Sequence, residues 1–323
     1  MKIDNSIFTN EERAIFALRS LYDQYGYNRY KMGRFEEYDL YVRNKDFLVS
    51  DEVITFTDRS GRLKALKPDV TLSIIKNTTD APGKVQKLYY NENVYRVPEG
   101  SRSFKEIMQA GVECVGDLDT KSIAEVVLLA ARSLDMLSDR FVLDVSHMGF
   151  ISAVLDASGL SDSGKNRALN CFRHKNLHEL DEVCRAEGVD SCKLTAILDC
   201  CGNPAQVLPR IEQLLVTPAE QNAYQEFREV CDALEDSGYG DALRVDFSVG
   251  NDLKYYSGVV FKGYVEGIPT GILSGGQYDA LLRKMGRNSK AIGFAIYVDL
   301  LDKMDGMSDN MVAVEEYTLE NNG

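Results

Sequence analysis

The stretch KVQKLYYNENVYRVPEGSRSFKEIMQAGVECVG, residues 84–116, sets the architecture. KVQKLYYNENVYRV reads as one strand, and SRSFKEIMQAGVECVG as a loop feeding a second. Within QAGVE a period of two places Gln109, Gly111 and Glu113 on one face, and Gly111 leaves room between its two polar neighbours.

Outward from this pair the pattern is mixed. Thr120 to Leu137 has Ile123, Val126, Val127, Ala130 and Leu134 on one helical face, and FVLDVS then alternates as a strand. Upstream, Thr9 with Glu12 forms a capping box, followed by a stripe of Ile15, Phe16, Leu18, Leu21, Tyr22 and Tyr25 that ends at Gly26. YDLYV is expected to be a strand, and EVITFTDRSGRLKAL a hairpin turning at Asp58 to Gly61. In LKPDVTLSIIKN, Pro68 marks a break and a helix is expected from Asp69 or Val70.

Between about Gly149 and Gly240 helical stripes dominate. Strands return as RVDFSVG, YYSGVVFKGYV, GILSGG and AIGFAIYV. The expectation is an α+β fold: an antiparallel sheet flanked by helices, from residues 1–148 and 241–305, with a helical insertion at 149–240 and an acidic tail at 306–323. No internal repeat is visible.

Composition excludes several classes. The formal net charge of −13 repels a phosphate backbone, and no run of Lys and Arg exceeds two residues, so nucleic acid is not an expected partner. The start is polar and no window is apolar enough for a span, so neither membrane nor secretory signal is expected, and the location is expected to be cytoplasmic. Seven scattered cysteines fit reduced thiols there.

Candidate chemistry is sparse. Cys171, His174 and His178 fall at i, i+3 and i+7 with Cys184 nearby, but the paired knuckle of a zinc site is missing, so a packed or solvated helix face is expected and no metal. CCGNP at 200–204 reads as a helix end with a glycine cap. No nucleotide-binding glycine loop, GxSxG elbow or cofactor motif is present. The remaining cluster is Arg96, Gln109, Glu113, Tyr255, Tyr256 and Tyr278, which forms either the solvated face of a sheet or a pocket for a small zwitterion.

Five segments weigh between these. LKPDVT (66–71), YRVPEGSRSFKEIMQAGVECVG (95–116), DLKYYSGVVF (252–261), SGGQYDALL (274–282) and AIGFAIYVDLL (291–301) resemble, in order, the catalytic core of the histidyl-tRNA synthetases, a class II family. Its patterns are LRPE followed by Thr, FRxE with QxGxE, RGLDYY, GGGRYD and GLERL. The resemblance implies a pocket in which Asp69, in place of the family's Glu, takes an ammonium. Gln109 and Arg96 would orient the ligand, and Glu113 with Tyr256 and Tyr278 would meet an imidazole, with Thr71 and Tyr255 beside them.

The departures fall on the nucleotide side. The Arg of RGLDYY is Asn251, the Arg of GLERL is Leu300, the Glu of FRxE is Pro98, and the Asp of RGLDYY is Lys254. Losing one such preorganised charge contact costs roughly 3 kcal/mol, about a hundredfold in rate. At this length an anticodon-binding domain is not expected.

These features resemble the regulatory subunits of ATP phosphoribosyltransferase, in histidine biosynthesis. That resemblance implies a non-catalytic chain that partners the short catalytic subunit, forms a dimer, responds to histidine and needs no cofactor. Gly33 stands where the dimer element carries Pro. The alternative is an amino-acid-activating enzyme with altered ATP contacts, in which Arg102 or Lys105 restores charge.

Overall fold

Two residues start the first helix. In the computed structural model, which describes residues 7–48, 52–97, 103–250 and 255–303, the Thr9 hydroxyl accepts from the Glu12 amide at 3.2 Å and the Glu12 carboxylate accepts from the Thr9 amide at 3.0 Å. This reciprocal cap opens α1 (Asn10–Gln24), whose Ala14, Ala17, Leu18, Leu21 and Tyr22 are buried. Phe16, expected in that stripe, is 55% exposed and packs edge-on against Phe8. Thr9→Ala is expected to remove about 1 kcal/mol of stability, read as a lower urea midpoint with an unchanged denaturant slope.

The next segment is β1 (Asn28–Arg29), β2 (Phe35–Glu37), α2 (Tyr38–Arg43), β3 (Thr55–Thr57), β4 (Leu63–Leu66) and α3 (Thr71–Asn77). YDLYV is thus a helix, contrary to the strand expectation. Tyr41 is buried and Tyr38 partly so in one cluster. Residues three apart share a helix face but would lie on opposite faces of a strand. The expected hairpin does form: β3 and β4 pair antiparallel around a turn in which the Gly61 amide donates to the Asp58 carbonyl at 3.0 Å and Gly61 has a φ of 81°.

Then follow β5 (Val85–Arg96), β6 (Lys105–Gly116), α4 (Thr120–Leu137) and β7 (Phe141–His147), and the helices α5 (Met148–Ala157), α6 (Asp162–His174), α7 (Leu177–Ala186) and α8 (Cys192–Asp199). β8 (Cys201–Gly202) precedes α9 (Pro204–Glu212) and α10 (Pro218–Asp236). The described part closes with β9 (Leu243–Asp246), β10 (Val259–Val265), β11 (Leu273–Gln277), α11 (Asp279–Lys284), β12 (Lys290–Tyr297) and a 3-10 helix over Val298–Lys303.

CCGNP is not a glycine-capped helix end. α8 stops at Asp199, Cys201 and Gly202 pair with Asp246 and Val245 of β9, and the Asn203 side chain caps α9 by accepting from the Ala205 amide at 3.0 Å. With Pro204 at its first position, the next helix claims these residues. A two-residue strand therefore lies inside the mostly helical segment, where no strand was expected.

The large sheet runs β1-β5-β6-β12-β11-β10-β7-β9-β8; β1 with β5 and β7 with β9 are parallel, and the other pairs antiparallel. A small sheet, β2-β4-β3, stands apart. Along β6, Ala110, Val112 and Cys114 enter the main apolar cluster with α1 and α4, so the helices cover that face. The same cluster continues into α5 to α10 through Ile151, Phe172, Ile197 and Phe227. Gln109, Gly111 and Glu113 point the other way, as the pleat requires.

Candidate functional site

The open face of β6 carries the site. Glu113 pairs across the ladder with Gly293 of β12, and a Cβ at Gly293 would come within 1.9 Å of Glu113 Oε2, so this glycine is the slot that admits the carboxylate. A Cβ at Gly111 would meet the Phe294 carbonyl at 2.1 Å and the Tyr90 hydroxyl at 2.6 Å, and its absence lets Tyr90 cross the strand.

Thr71, the first residue of α3, donates from Oγ1 to Glu113 Oε1 at 2.6 Å, and the Tyr278 hydroxyl donates to Oε2. Burial pushes the Glu113 carboxyl up to about 8, against these two donors, and nearby Asp69 adds to the rise. Asp69, just ahead of α3, accepts from the Leu72 amide at 2.9 Å. Burial raises its pKa as well, opposed by that amide and by the charge of Arg96.

At the other end stands Arg96, the last residue of β5 and 6% exposed. Its Nη2 donates to the Tyr297 hydroxyl at 3.1 Å. Tyr255 packs 4.6 Å from Tyr256 and 6.1 Å from Tyr278, ring centre to ring centre, so the tyrosines form one aromatic wall. Between these groups lies a cavity of about 210 Å³. Asp69, Thr71, Arg96, Gln109, Glu113, Tyr255, Tyr256 and Tyr278 all line it, so the structure brings together every residue singled out for the pocket.

Sequence reasoning missed Tyr90 and Tyr297, which also line it. For Tyr297 a signal existed: in AIGFAIYV it follows Gly293 by four residues and shares its face. The wall also includes Asp46, which is paired with Lys284 at 3.0 Å, and the backbone-rich segment Ser274 to Gly276. Among the described lining residues Arg96 is the single cation, against the carboxylates of Asp46, Asp69 and Glu113.

The other candidates lie elsewhere. The face expected for Cys171, His174 and His178 does not exist as one helix: α6 ends at His174, Lys175 turns left-handed with a φ of 51°, and Asn176 caps α7. His178 is exposed beside Glu182, whereas Cys171 and Cys184 are buried. Among the described residues no group of three or more His, Cys, Asp or Glu is placed to hold a metal, and no helix is long and apolar enough to cross a membrane.

Leu300, on the 3-10 helix, packs against the main core and is not part of the cavity wall; Lys105, at the start of β6, is exposed and also off that wall. Gly33 is exposed and has only the Phe35 carbonyl, at 3.4 Å, near its would-be Cβ. Asn251, Lys254, Pro98, Arg102 and the tail 306–323 lie outside the described residues.

The chain is 28% identical over 300 residues to the ATP phosphoribosyltransferase regulatory subunit of Oceanobacillus iheyensis, spanning 91% of this chain and 74% of that protein. The crystal structure of an ATP phosphoribosyltransferase regulatory subunit/histidyl-tRNA synthetase from Bacillus halodurans superposes with a TM-score of 0.80 at 25% identity, covering 92% of this chain and 79% of that one. A chain of the ATP phosphoribosyl transferase complex from Thermotoga maritima shares the fold, with a TM-score of 0.71 at 17% identity over 89% of this chain and 97% of that one. The sequence family described as histidyl-tRNA synthetase matches residues 4–301, nearly the whole described region, and the chain belongs to that family.

Proposed function

We propose that this chain is the non-catalytic regulatory subunit of an ATP phosphoribosyltransferase in histidine biosynthesis, required by a short catalytic subunit and carrying the site for histidine feedback. One observation carries this reading: a cavity of about 210 Å³ with Arg96 at one end, Glu113 at the other, Asp69 and Gln109 between them, and Arg96 as the single cation of its described wall. Such a wall suits a zwitterion with a polar ring and opposes a triphosphate. The name of the Oceanobacillus relative and the composition of the Thermotoga complex support the choice of partner.

In this assignment Asp69 receives the ammonium and Arg96 with Gln109 the carboxylate. Glu113 can meet the imidazole in either state: as the acid that burial favours it donates its O–H to a bare ring nitrogen, and as the carboxylate it accepts a ring N–H beside the Thr71 and Tyr278 hydroxyls. Residues 1–148 and 241–305 form the ligand-bearing core and 149–240 the insertion. The chain works as a dimer in the cytoplasm, without nucleic acid, metal or other cofactor.

The test has three parts. Calorimetry of the chain assembled with its phosphoribosyltransferase partner should show saturable L-histidine binding. The partner should copurify from the native host. Histidine-dependent ATP/pyrophosphate exchange should stay at background, and exchange at the rate of a working synthetase would instead establish the activating-enzyme reading favoured by the family match alone.

A further inference from the structure

The two ends of the cavity are tied to one strand pair. Gln109 faces Tyr297 and Glu113 faces Gly293 in the β6–β12 register. Four residues of strand separate the ends by about 13 Å. Arg96 and Tyr297 therefore stand together at the end remote from Glu113, with the Arg96 guanidinium carbon 5.6 Å from the Tyr297 ring centre.

Arg96 has two competing attractions there. Its charge acts on Asp69, the carboxylate available to an ammonium, yet its hydrogen bond goes to the Tyr297 hydroxyl at 3.1 Å. If the guanidinium closed on Asp69, cation and anion would cancel, and an incoming zwitterion would find neither. Tyr297 is well placed to prevent this. Its backbone is fixed by the ladder and by its amide donating to the Ile272 carbonyl at 2.8 Å, and its hydroxyl engages one of five guanidinium N–H groups, leaving the others for a ligand.

We propose that Tyr297 is a positioning residue that holds Arg96 away from Asp69 and aims it at the carboxylate of the bound amino acid. This rests on the amino-acid-pocket reading and adds Tyr297 to Arg96 and Gln109 as a third residue of its carboxylate end. Tyr297 touches Arg96, and its effect on the ligand passes through that side chain.

The test compares ligands that differ only at that end. Calorimetric titrations of the full chain in its assembly use L-histidine and histamine, which lacks the carboxylate, on wild type, Tyr297→Phe and Arg96→Ala. Phe keeps the ring and removes only the hydroxyl. Wild type should prefer histidine; Tyr297→Phe should weaken histidine about tenfold and leave histamine within about twofold, a loss of the size of one charge-assisted hydrogen bond. Arg96→Ala should abolish the preference, and adding Tyr297→Phe to it should change nothing more.

Equal weakening of both ligands by Tyr297→Phe, or an unchanged preference, would overturn the positioning role while leaving the pocket intact. If wild type binds neither ligand, the amino-acid pocket itself fails.

Discussion

Replacing Glu113 by glutamine is expected to weaken L-histidine binding by about a hundredfold and to remove much of the alkaline sensitivity of the fold. Glu113 is 2% exposed and accepts from Thr71 and Tyr278 on separate oxygens. An amide has one acceptor atom, so in the variant one of these hydroxyls, or the ligand's ring N–H, faces an N–H instead. A buried polar group left without a partner costs about 1–3 kcal/mol, and sites built to hydrogen-bond a polar ligand discriminate on that scale or beyond.

The pH effect has a definite sign. The Glu113 carboxyl sits at about 8 in the folded chain against an ordinary 4.5. Between those values the folded state keeps a proton that the unfolded state has released. Its stabilising contribution is complete below pH 4.5, falls as pH rises, and is lost once pH passes about 8. The slope cannot exceed about 1.4 kcal/mol per pH unit for one group. Urea denaturation of wild type and Glu113→Gln at several values from pH 5 to pH 8.5 should therefore give curves that converge or cross. Parallel curves would show that this carboxyl does not titrate in that window.

Gly293→Ala is the second large effect: a loss of about 3 kcal/mol of stability together with loss of ligand binding. The added methyl would lie 1.9 Å from Glu113 Oε2 and 2.5 Å from the Val112 carbonyl. The carbonyl belongs to a ladder of the central sheet and cannot retreat alone. Glu113 can retreat only by giving up Thr71 or Tyr278. Overpacking of this kind costs about 1–3 kcal/mol, and a broken buried hydrogen bond adds to it. Denaturant unfolding and histidine calorimetry on the same sample decide the matter. A variant within about 0.5 kcal/mol of wild type that still binds would show that the slot tolerates a side chain.

Much of this was legible in the residues. The β5–β6 pair, the bounds of α4 and the common face of Gln109, Gly111 and Glu113 follow from periodicity, because the sheet is polar or cavity-facing on one side and packed on the other. YDLYV misled because an alternating pattern over five residues also fits one turn of helix, and only the surface beneath it, which holds Tyr38 and Tyr41 together, chooses. The partnership of Thr71 with Glu113 joins residues 42 apart, and that of Arg96 with Tyr297 joins residues 201 apart. No local pattern encodes either, although the resemblance pointed to most of their members. Gly111 was the better guide, and Gly293, which the sequence reading passed over, marks a second place where another group needs the volume.

The pleat of β6 makes one strand serve two masters. Ala110, Val112 and Cys114 are cast into the interior while Gln109 and Glu113 line the cavity, with Gly111 against Tyr90 between them, so a single inserted or deleted residue along this stretch would exchange the two sets. Descendants of this chain are free to vary the length of its connections but not the count along this strand. The interval from Gln109 to Glu113 is in effect a ruler, fixed by the mechanics of the interior, that sets the spacing of polar groups along the cavity.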